Sequence, residues 1–222
     1  MRIYHGSIKI IKNPIYGLGK KTNDYGLGFY CTKSLELAKE WTVDVDCDGF
    51  VNIYELEMEE LKVLNLNDNK YCILHWLTIL LENRIFDVSG GLALEAKEYL
   101  INNFKINYYD YDIIIGYRAD DSYFSFAQDF LNGSISYKQL CRAMYLGKLG
   151  NQIVLKSRKA FEKIKFIDFI EIDKDIYYPL KENRDRLARR GYLNNERNKR
   201  NKGEITIINI IDEEMKENDP RL

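Results

Sequence analysis

Two short motifs near the beginning of the chain contain the residues best suited to chemistry. Residues 4–7 read Tyr-His-Gly-Ser and hold one of only two histidines, and residues 26–32 read Gly-Leu-Gly-Phe-Tyr-Cys-Thr. A histidine ring can donate or accept a hydrogen bond, and a glycine lets a ligand approach the backbone closely. Each motif alone is weak evidence, so their order and the position of Trp41, eleven residues after Tyr30, carry the information.

In this order the motifs resemble the NAD-binding face of the ADP-ribosyltransferases, in the His-Tyr-Glu branch that includes poly-ADP-ribose polymerases and diphtheria toxin. The resemblance looks closest to an uncharacterised bacterial branch. It covers residues 1–45 at motif level, is weaker to about residue 170 and is absent beyond. It implies NAD as substrate, an α+β fold with a split two-sheet core and surrounding helices, and cleavage of the nicotinamide–ribose bond through an oxocarbenium-like transition state.

The resemblance assigns a role to each motif residue. His5 would hydrogen-bond the adenosine-side ribose, the backbone of Gly6 would hold the nicotinamide carboxamide, and Ser7 would add a hydroxyl contact. Tyr30 and Trp41 would stack on the nicotinamide ring. Two alternatives stay open: His5 as an ordinary histidine at a strand end, and Trp41 as part of the core face of an amphipathic helix.

The third family residue is a glutamate at the start of a late strand, and here the matching position is Gln152. An amide can still hydrogen-bond the ribose 2′-hydroxyl. It cannot supply negative charge or act as a general base. The departure argues against chain-building polymerisation and favours transfer of a single ADP-ribose, or no turnover.

A second source of carboxylate is the pair Asp120-Asp121, which follows an apolar strand pattern. Paired carboxylates can raise the pKa of one member, so either is a candidate base. The alternative is that the pair caps the following helix. Arg118 could bind a phosphate of NAD or pair with Asp120, and Asp24 could brace the glycine-rich loop.

The segment 184–202 is rich in arginine and lysine, with Tyr192 and several asparagines interleaved. Such a segment can contact nucleic acid. A solvated helix and loop is the more common role for a charged run, and the segment could instead cover the NAD cleft.

Composition and charge narrow the class of protein. The chain has 222 residues, a formal net charge of −1 and scattered cysteines without a Cys-x-x-Cys pair. These values give no bias toward nucleic acid or lipid, and they argue against a zinc site or a disulfide framework. Because the first motif begins at once, we expect no signal peptide. The longest apolar stretch, near residues 73–81, is too short to span a bilayer, and the scattered cysteines fit a reduced, cytoplasmic setting.

The periodicity predicts an α+β order of elements without regular βαβ alternation. Residues 1–5 and 29–31 are predicted strands, residues 11–28 a glycine-rich loop, and Thr32 the N-cap of a helix to about Trp41. Further strands are predicted at 50–58, 61–66, 111–117, 152–156 and 166–172, and helices at 71–83, 92–103, 123–131 and 137–145. We expect one domain over residues 1–172 and a polar extension over 173–222 that packs on or near it.

The sequence therefore predicts a mono-ADP-ribosyltransferase that uses NAD, with a site formed by His5, Tyr30 and Gln152. Its acceptor would be a protein or nucleic acid. The resemblance suggests a bacterial toxin, effector or phage-defence protein, to which a neutralising antitoxin could bind. The alternatives are an inactive member that binds NAD or an ADP-ribosylated ligand, an RNA 2′-phosphotransferase, and an interaction module in which the motifs are accidental.

Overall fold

The computed structural model describes residues 1–119, 121–148, 150–199 and 203–222. In these ranges the chain is an α+β protein whose strands form two sheets. The strands are β1 (Arg2–Ser7), β2 (Phe29–Cys31), β3 (Gly49–Leu56), β4 (Val63–Asn65), β5 (Ile113–Tyr117), β6 (Asn151–Leu155) and β7 (Ile164–Ile172). The helices are α1 (Leu35–Thr42), α2 (Ile73–Asn83), α3 (Gly91–Phe104), α4 (Asp121–Leu131), α5 (Tyr137–Ala143), α6 (Arg158–Glu162), α7 (Lys174–Tyr192) and α8 (Ile207–Asp212).

The two sheets meet where β1 lies beside the end of β2. One sheet has the antiparallel order β1-β3-β7, and the other has the order β2-β6-β5-β4, in which β4 and β5 are parallel. Tyr4 and Thr32 join them, because each backbone N–H donates to the carbonyl of the other at 2.9 Å. The first motif and the second are therefore held side by side.

Helix α1 lies directly on β1 and β3, and glycines allow the close approach. A Cβ on Gly6 would lie 2.5 Å from the carbonyl oxygen of Ala38 and 2.7 Å from Oγ1 of Thr42. A Cβ on Gly49 would lie 2.5 Å from Cγ2 of Thr42. The helix starts later than predicted, with Ser34 instead of Thr32 as its N-cap, because Thr32 is already paired with Tyr4 in the bridge.

The main apolar core lies between the second sheet and the helices α2 to α5. Helix α2 is buried from Ile73 to Leu81, and Trp76 and Leu74 are fully enclosed. The indole N–H of Trp76 donates to the carbonyl of Tyr117 at 3.2 Å, which joins α2 to the end of β5. This packing fixes the strand ends from which the cavity residues extend.

The polar extension after β7 contains the long helix α7, whose second half lies in the charged run 184–202, where a solvated helix and loop was one of the predicted roles. Its first turn follows Asp173, whose side chain caps the helix, and Pro179 lies within it. Arg184 pairs with the buried Glu40 of α1 through two N–H groups at 2.7 and 2.6 Å. Every helix in the described ranges is too short or too polar to cross a bilayer.

Candidate functional site

A cavity of about 420 Å³ opens between the first motif and the ends of β2 and β6. This volume is within the range of small-molecule sites. The wall takes residues from both sheets, from α1 and from the loops after α2 and β5. It is lined by His5, Gly6, Ile11, Pro14, Ile15, Leu18, Gly19, Asn23, Asp24, Gly28, Phe29, Tyr30, Trp41, Arg84, Arg118, Ala119 and Gln152.

His5 is held in one orientation by its neighbours. Its Nδ1 lies 2.7 Å from the carbonyl oxygen of Tyr30, and its ring stacks on Phe29 with a centroid distance of 4.3 Å. Burial lowers the pKa of His5, while the hydrogen bond to Tyr30 opposes the change. The ring is therefore neutral at pH 7 with the proton on Nδ1, and Nε2 can accept a hydrogen bond from a ligand hydroxyl.

Gly6 presents its backbone to the same cavity. Tyr4 directs its N–H and C=O toward Thr32 of the neighbouring sheet. Because these groups alternate along a strand, the N–H and C=O of Gly6 point to the same side, beyond the end of β2. The strand edge thus offers one donor and one acceptor, which is the pattern an amide recognises.

Ser7 lies outside the cavity wall, unlike the other residues of the first motif that the resemblance singled out. Its hydroxyl donates to the carbonyl of Lys9 at 2.6 Å and accepts from Nδ2 of Asn52 at 3.0 Å. These contacts fold back the chain after β1. A ligand contact for Ser7 stays a prediction without a position in the cavity to support it.

Tyr30 uses its hydroxyl to hold the glycine-rich loop. The hydroxyl donates to the carbonyl of Gly26 at 2.6 Å and accepts from the N–H of Tyr25 at 3.1 Å. Gly26 has φ of +70°, a conformation that favours glycine. Burial raises the pKa of Tyr30 far above its ordinary value, so the hydroxyl stays protonated. The hydroxyl therefore stabilises the glycine-rich loop, and stacking of the Tyr30 ring on a ligand stays a prediction.

We expect Tyr30→Phe to cost about 1–2 kcal/mol of folding stability, because two buried loop groups lose their partner. Tyr30→Ala should cost about 3 kcal/mol or more, because the ring is also removed, and should weaken ligand binding further. Urea unfolding of the three proteins measures the difference. If Tyr30→Phe unfolded at the same urea concentration as the wild type, the hydroxyl would not hold the loop.

Lys156 also stabilises the glycine-rich loop. Its Nζ donates to the carbonyls of Tyr25 and Leu27, and burial lowers its pKa to about 8. The residue follows β6 directly, so it ties the glycine-rich loop to the strand that carries Gln152. The loop and that strand are therefore positioned as one unit.

Trp41 lines the cavity with its ring partly covered. The guanidinium of Arg118 lies over the ring at 4.3 Å from the centroid, a distance typical of a cation–π contact. The indole Nε1 is buried and has no hydrogen-bond partner among the described residues. Trp41 is therefore a residue of the cavity wall that carries a buried donor without a partner among the described residues.

Gln152 is buried at the start of β6, beside a carboxylate. Its Nε2 lies 3.2 Å from Oδ2 of Asp24 and donates to it. Its Oε1 is buried and has no hydrogen-bond partner in the described part of the chain. Two residues of the cavity wall thus each carry a buried polar atom without a partner among the described residues, an acceptor at Gln152 and a donor at Trp41. Unsatisfied buried polar atoms are rare in folded proteins, and a bound ligand is one explanation for them.

Asp24 and Arg84 also line the cavity, although the sequence pattern predicted only a loop-bracing role for Asp24 and no role for Arg84. Asp24 is 4% exposed, and its Oδ1 accepts from Nη1 of Arg84 at 2.9 Å. Its Oδ2 accepts from the N–H of Ala119 at 2.9 Å. Burial raises the pKa of Asp24, and the Ala119 N–H and the arginines Arg84 and Arg118 oppose that rise. The one sequence signal for Asp24 is its position just before the Gly26–Thr32 motif, and that position predicts contacts that stabilise the loop, not a place in a ligand site.

The other predicted site residues lie elsewhere. Asp120 is outside the described residues, and Asp121 is described only as the first residue of α4. In the described part of 184–202, several arginines have partners within the chain. They include Arg184 with Glu40, Arg189 with Asp185, and Arg197 with Asp129. A nucleic-acid contact by this segment stays a prediction.

The fold and the cavity define an α+β protein with a polar, aromatic-lined site where two sheets meet. The family model described as "Protein of unknown function (DUF3990)" matches residues 1–166, and the chain belongs to this family. Comparison with curated proteins and with solved structures gave no match. The matched range includes every residue of the cavity wall.

Proposed function

We propose that this protein is an NAD-dependent mono-ADP-ribosyltransferase that modifies a macromolecule. The observation that supports the proposal is that residues from separate segments of the chain lie around one cavity. His5, Tyr30 and Gln152, which are distant in sequence, line one cavity together with Gly6 and Trp41. These are five of the residues to which the sequence resemblance assigns contacts with NAD.

The donors and acceptors of the cavity suit the NAD substrate. Nε2 of His5 would accept from a ribose hydroxyl, and the edge of Gly6 would pair with the carboxamide. Oε1 of Gln152 would accept from the ribose hydroxyl next to the bond that breaks. Transfer would then release nicotinamide and join ADP-ribose to the acceptor.

Nicotinamide release tests the proposal directly. The protein is incubated with NAD, and free nicotinamide is measured by chromatography, with and without a bacterial lysate. Parallel labelling with radioactive NAD shows whether protein or nucleic acid receives the label. Growth arrest on expression in bacteria would add support for a toxin or effector function. Absence of both NAD binding and nicotinamide release would reject the proposal.

We expect His5→Ala to weaken NAD binding by about 1–3 kcal/mol, the cost of leaving a desolvated group without its partner. The fold should survive, because His5 is near the end of an edge strand. Isothermal titration with NAD measures the change. Ser7→Ala is the comparison from the same motif: its affinity for NAD falls if the Ser7 hydroxyl contacts the ligand, and is unchanged if that hydroxyl only binds Lys9 and Asn52. Equal affinity of His5→Ala and wild type would remove His5 from the site.

A second candidate function is binding of NAD or an ADP-ribosylated ligand without turnover. Gln152 favours it, because an amide carries no charge to stabilise a developing cation. Here titration would show NAD binding while nicotinamide release stayed at the uncatalysed rate. The same two measurements therefore separate the candidates.

A further inference from the structure

Asp24 is a buried carboxylate in direct contact with Gln152. It is 4% exposed in the cavity wall. Its Oδ1 accepts from Arg84, and its Oδ2 accepts from the Ala119 N–H. Bracing the loop to Arg84 and Ala119 explains those two contacts. The third contact, from Nε2 of Gln152 at 3.2 Å, joins two residues of the cavity wall.

This third contact determines which end of the amide meets a ligand. A carboxylate can only accept hydrogen bonds, so it requires the NH₂ group of Gln152 to face it. The oxygen must then point away from Asp24. That oxygen is the buried acceptor without a partner among the described residues. Without Asp24, either end of the amide could face the cavity.

We propose that Asp24 is a positioning residue for the reaction. It orients the Gln152 amide so that Oε1 accepts from the substrate ribose hydroxyl, and it places a negative charge beside that amide. The two side chains together occupy the place where the similar transferases have one glutamate. This inference rests on the proposed function, because the hydroxyl is that of NAD.

Exchanging the carboxylate of Asp24 with the amide of Gln152 tests whether Asp24 positions Gln152 or only stabilises the fold. In Asp24→Asn the NH₂ of the new side chain competes with that of Gln152, so the amide is no longer held in one orientation. In the double variant Asp24→Asn/Gln152→Glu, the amide at position 24 donates to the carboxylate at position 152. The carboxylate–amide bond is restored with its direction reversed, and an oxygen again faces the cavity. The Ala119 N–H, which donates to the same Oδ2 in the wild type, loses its acceptor in this variant.

The measurements are the kcat of nicotinamide release, the Kd for NAD and the melting temperature. We expect Asp24→Asn to lower kcat about tenfold or more, the range of a lost hydrogen bond to a charged group, and to change Kd less than about threefold. The double variant should recover most of kcat. Both variants should melt below the wild type, because Arg84 loses its charged partner in each. The single variant Gln152→Glu, in which two carboxylates lie side by side, shows how much of this recovery comes from the charge at position 152 alone. A double variant faster than both single variants is expected from positioning, and a double variant no faster than Gln152→Glu would contradict it.

Asp129→Asn is the matched control. Asp129 also pairs with an arginine, Arg197 at 2.9 Å, and with a neutral donor, Tyr192 at 2.6 Å, but it lies outside the cavity wall. The Asp129→Asn variant should melt below the wild type and release nicotinamide with the wild-type kcat. Two further results would overturn the inference and leave the proposed function intact. In the first, the wild type is active and Asp24→Asn has the same kcat. In the second, the double variant has a kcat no higher than that of Asp24→Asn. A wild type that releases no nicotinamide would reject the proposed function and this inference with it.

Discussion

Gln152→Ala is expected to lower the rate of nicotinamide release about 100-fold, the scale for loss of one preorganised polar group that acts in a transition state. NAD affinity should change by less than about threefold, because the amide oxygen is needed most when charge develops at the ribose. The fold should persist. Asp24 loses one donor in this variant and keeps its contacts with Arg84 and Ala119.

Single-turnover kinetics with saturating NAD measure this effect without interference from product release. The adjacent Asn151→Ala is the control, because Asn151 is exposed and lies outside this cavity. It should keep the wild-type rate. If Gln152→Ala kept the wild-type rate and Asn151→Ala did not, the residue that acts in the reaction would be Asn151 and not Gln152.

The elements around the two motifs could be predicted because their signals are local. Phe29–Cys31 is the predicted strand, and the apolar run that ends at Tyr117 is the predicted buried strand β5. The start of α1 was predicted two residues too early. Thr32 and Ser34 are both good N-caps, and the choice between them depends on Tyr4, which no local pattern includes.

The contacts that complete the cavity could not be predicted, because they join distant segments. Arg84 follows α2 and reaches Asp24 across 60 residues of sequence. Gln152 reaches the same carboxylate across 128 residues. Neither residue has a spacing or a neighbour that indicates the other. The resemblance identified the position of Gln152 and gave no information about the carboxylate beside it.

The first half of helix α7 was not predicted, for a different reason. Nine of the 19 residues of α7 are charged and Pro179 lies within it, so the segment has the pattern of a solvated polar tail, which does not indicate a helix packed on the domain. The helix is stabilised by contacts with the rest of the protein, such as the pair between Arg184 and the buried Glu40. The division into a domain over residues 1–172 and an extension over residues 173–222 that packs on or near it stays a prediction. In the structure, α7 lies against α1, the helix that carries Trp41.

Gly6→Ala is expected to cost about 2–3 kcal/mol of folding stability, because a methyl group has no space between β1 and α1. It would lie 2.5 Å from the carbonyl oxygen of Ala38 and 2.7 Å from Oγ1 of Thr42, backbone and side-chain atoms that are themselves hydrogen-bonded at 2.7 Å. Helix α1 must move away. Urea unfolding measures the cost. Gly91→Ala is the control, because a Cβ there meets no atom within 4 Å, and it should be neutral or slightly stabilising.

Alanine at Gly49 tests whether the packing of α1 on the first sheet matters for NAD binding as well as for folding stability. Gly49 is also packed against Thr42 but lies outside the cavity wall. Its methyl group would displace the end of α1 and move Trp41 without entering the site. We therefore expect Gly49→Ala to lose stability to a similar degree and to weaken NAD binding several-fold, because a ring that has moved stacks less well on its ligand. Gly6→Ala should weaken binding more, since it also disturbs the strand edge that would hold the carboxamide. If Gly49→Ala were destabilised and bound NAD with wild-type affinity, the placement of α1 would matter for folding alone, and Trp41 would not be a ligand-binding residue.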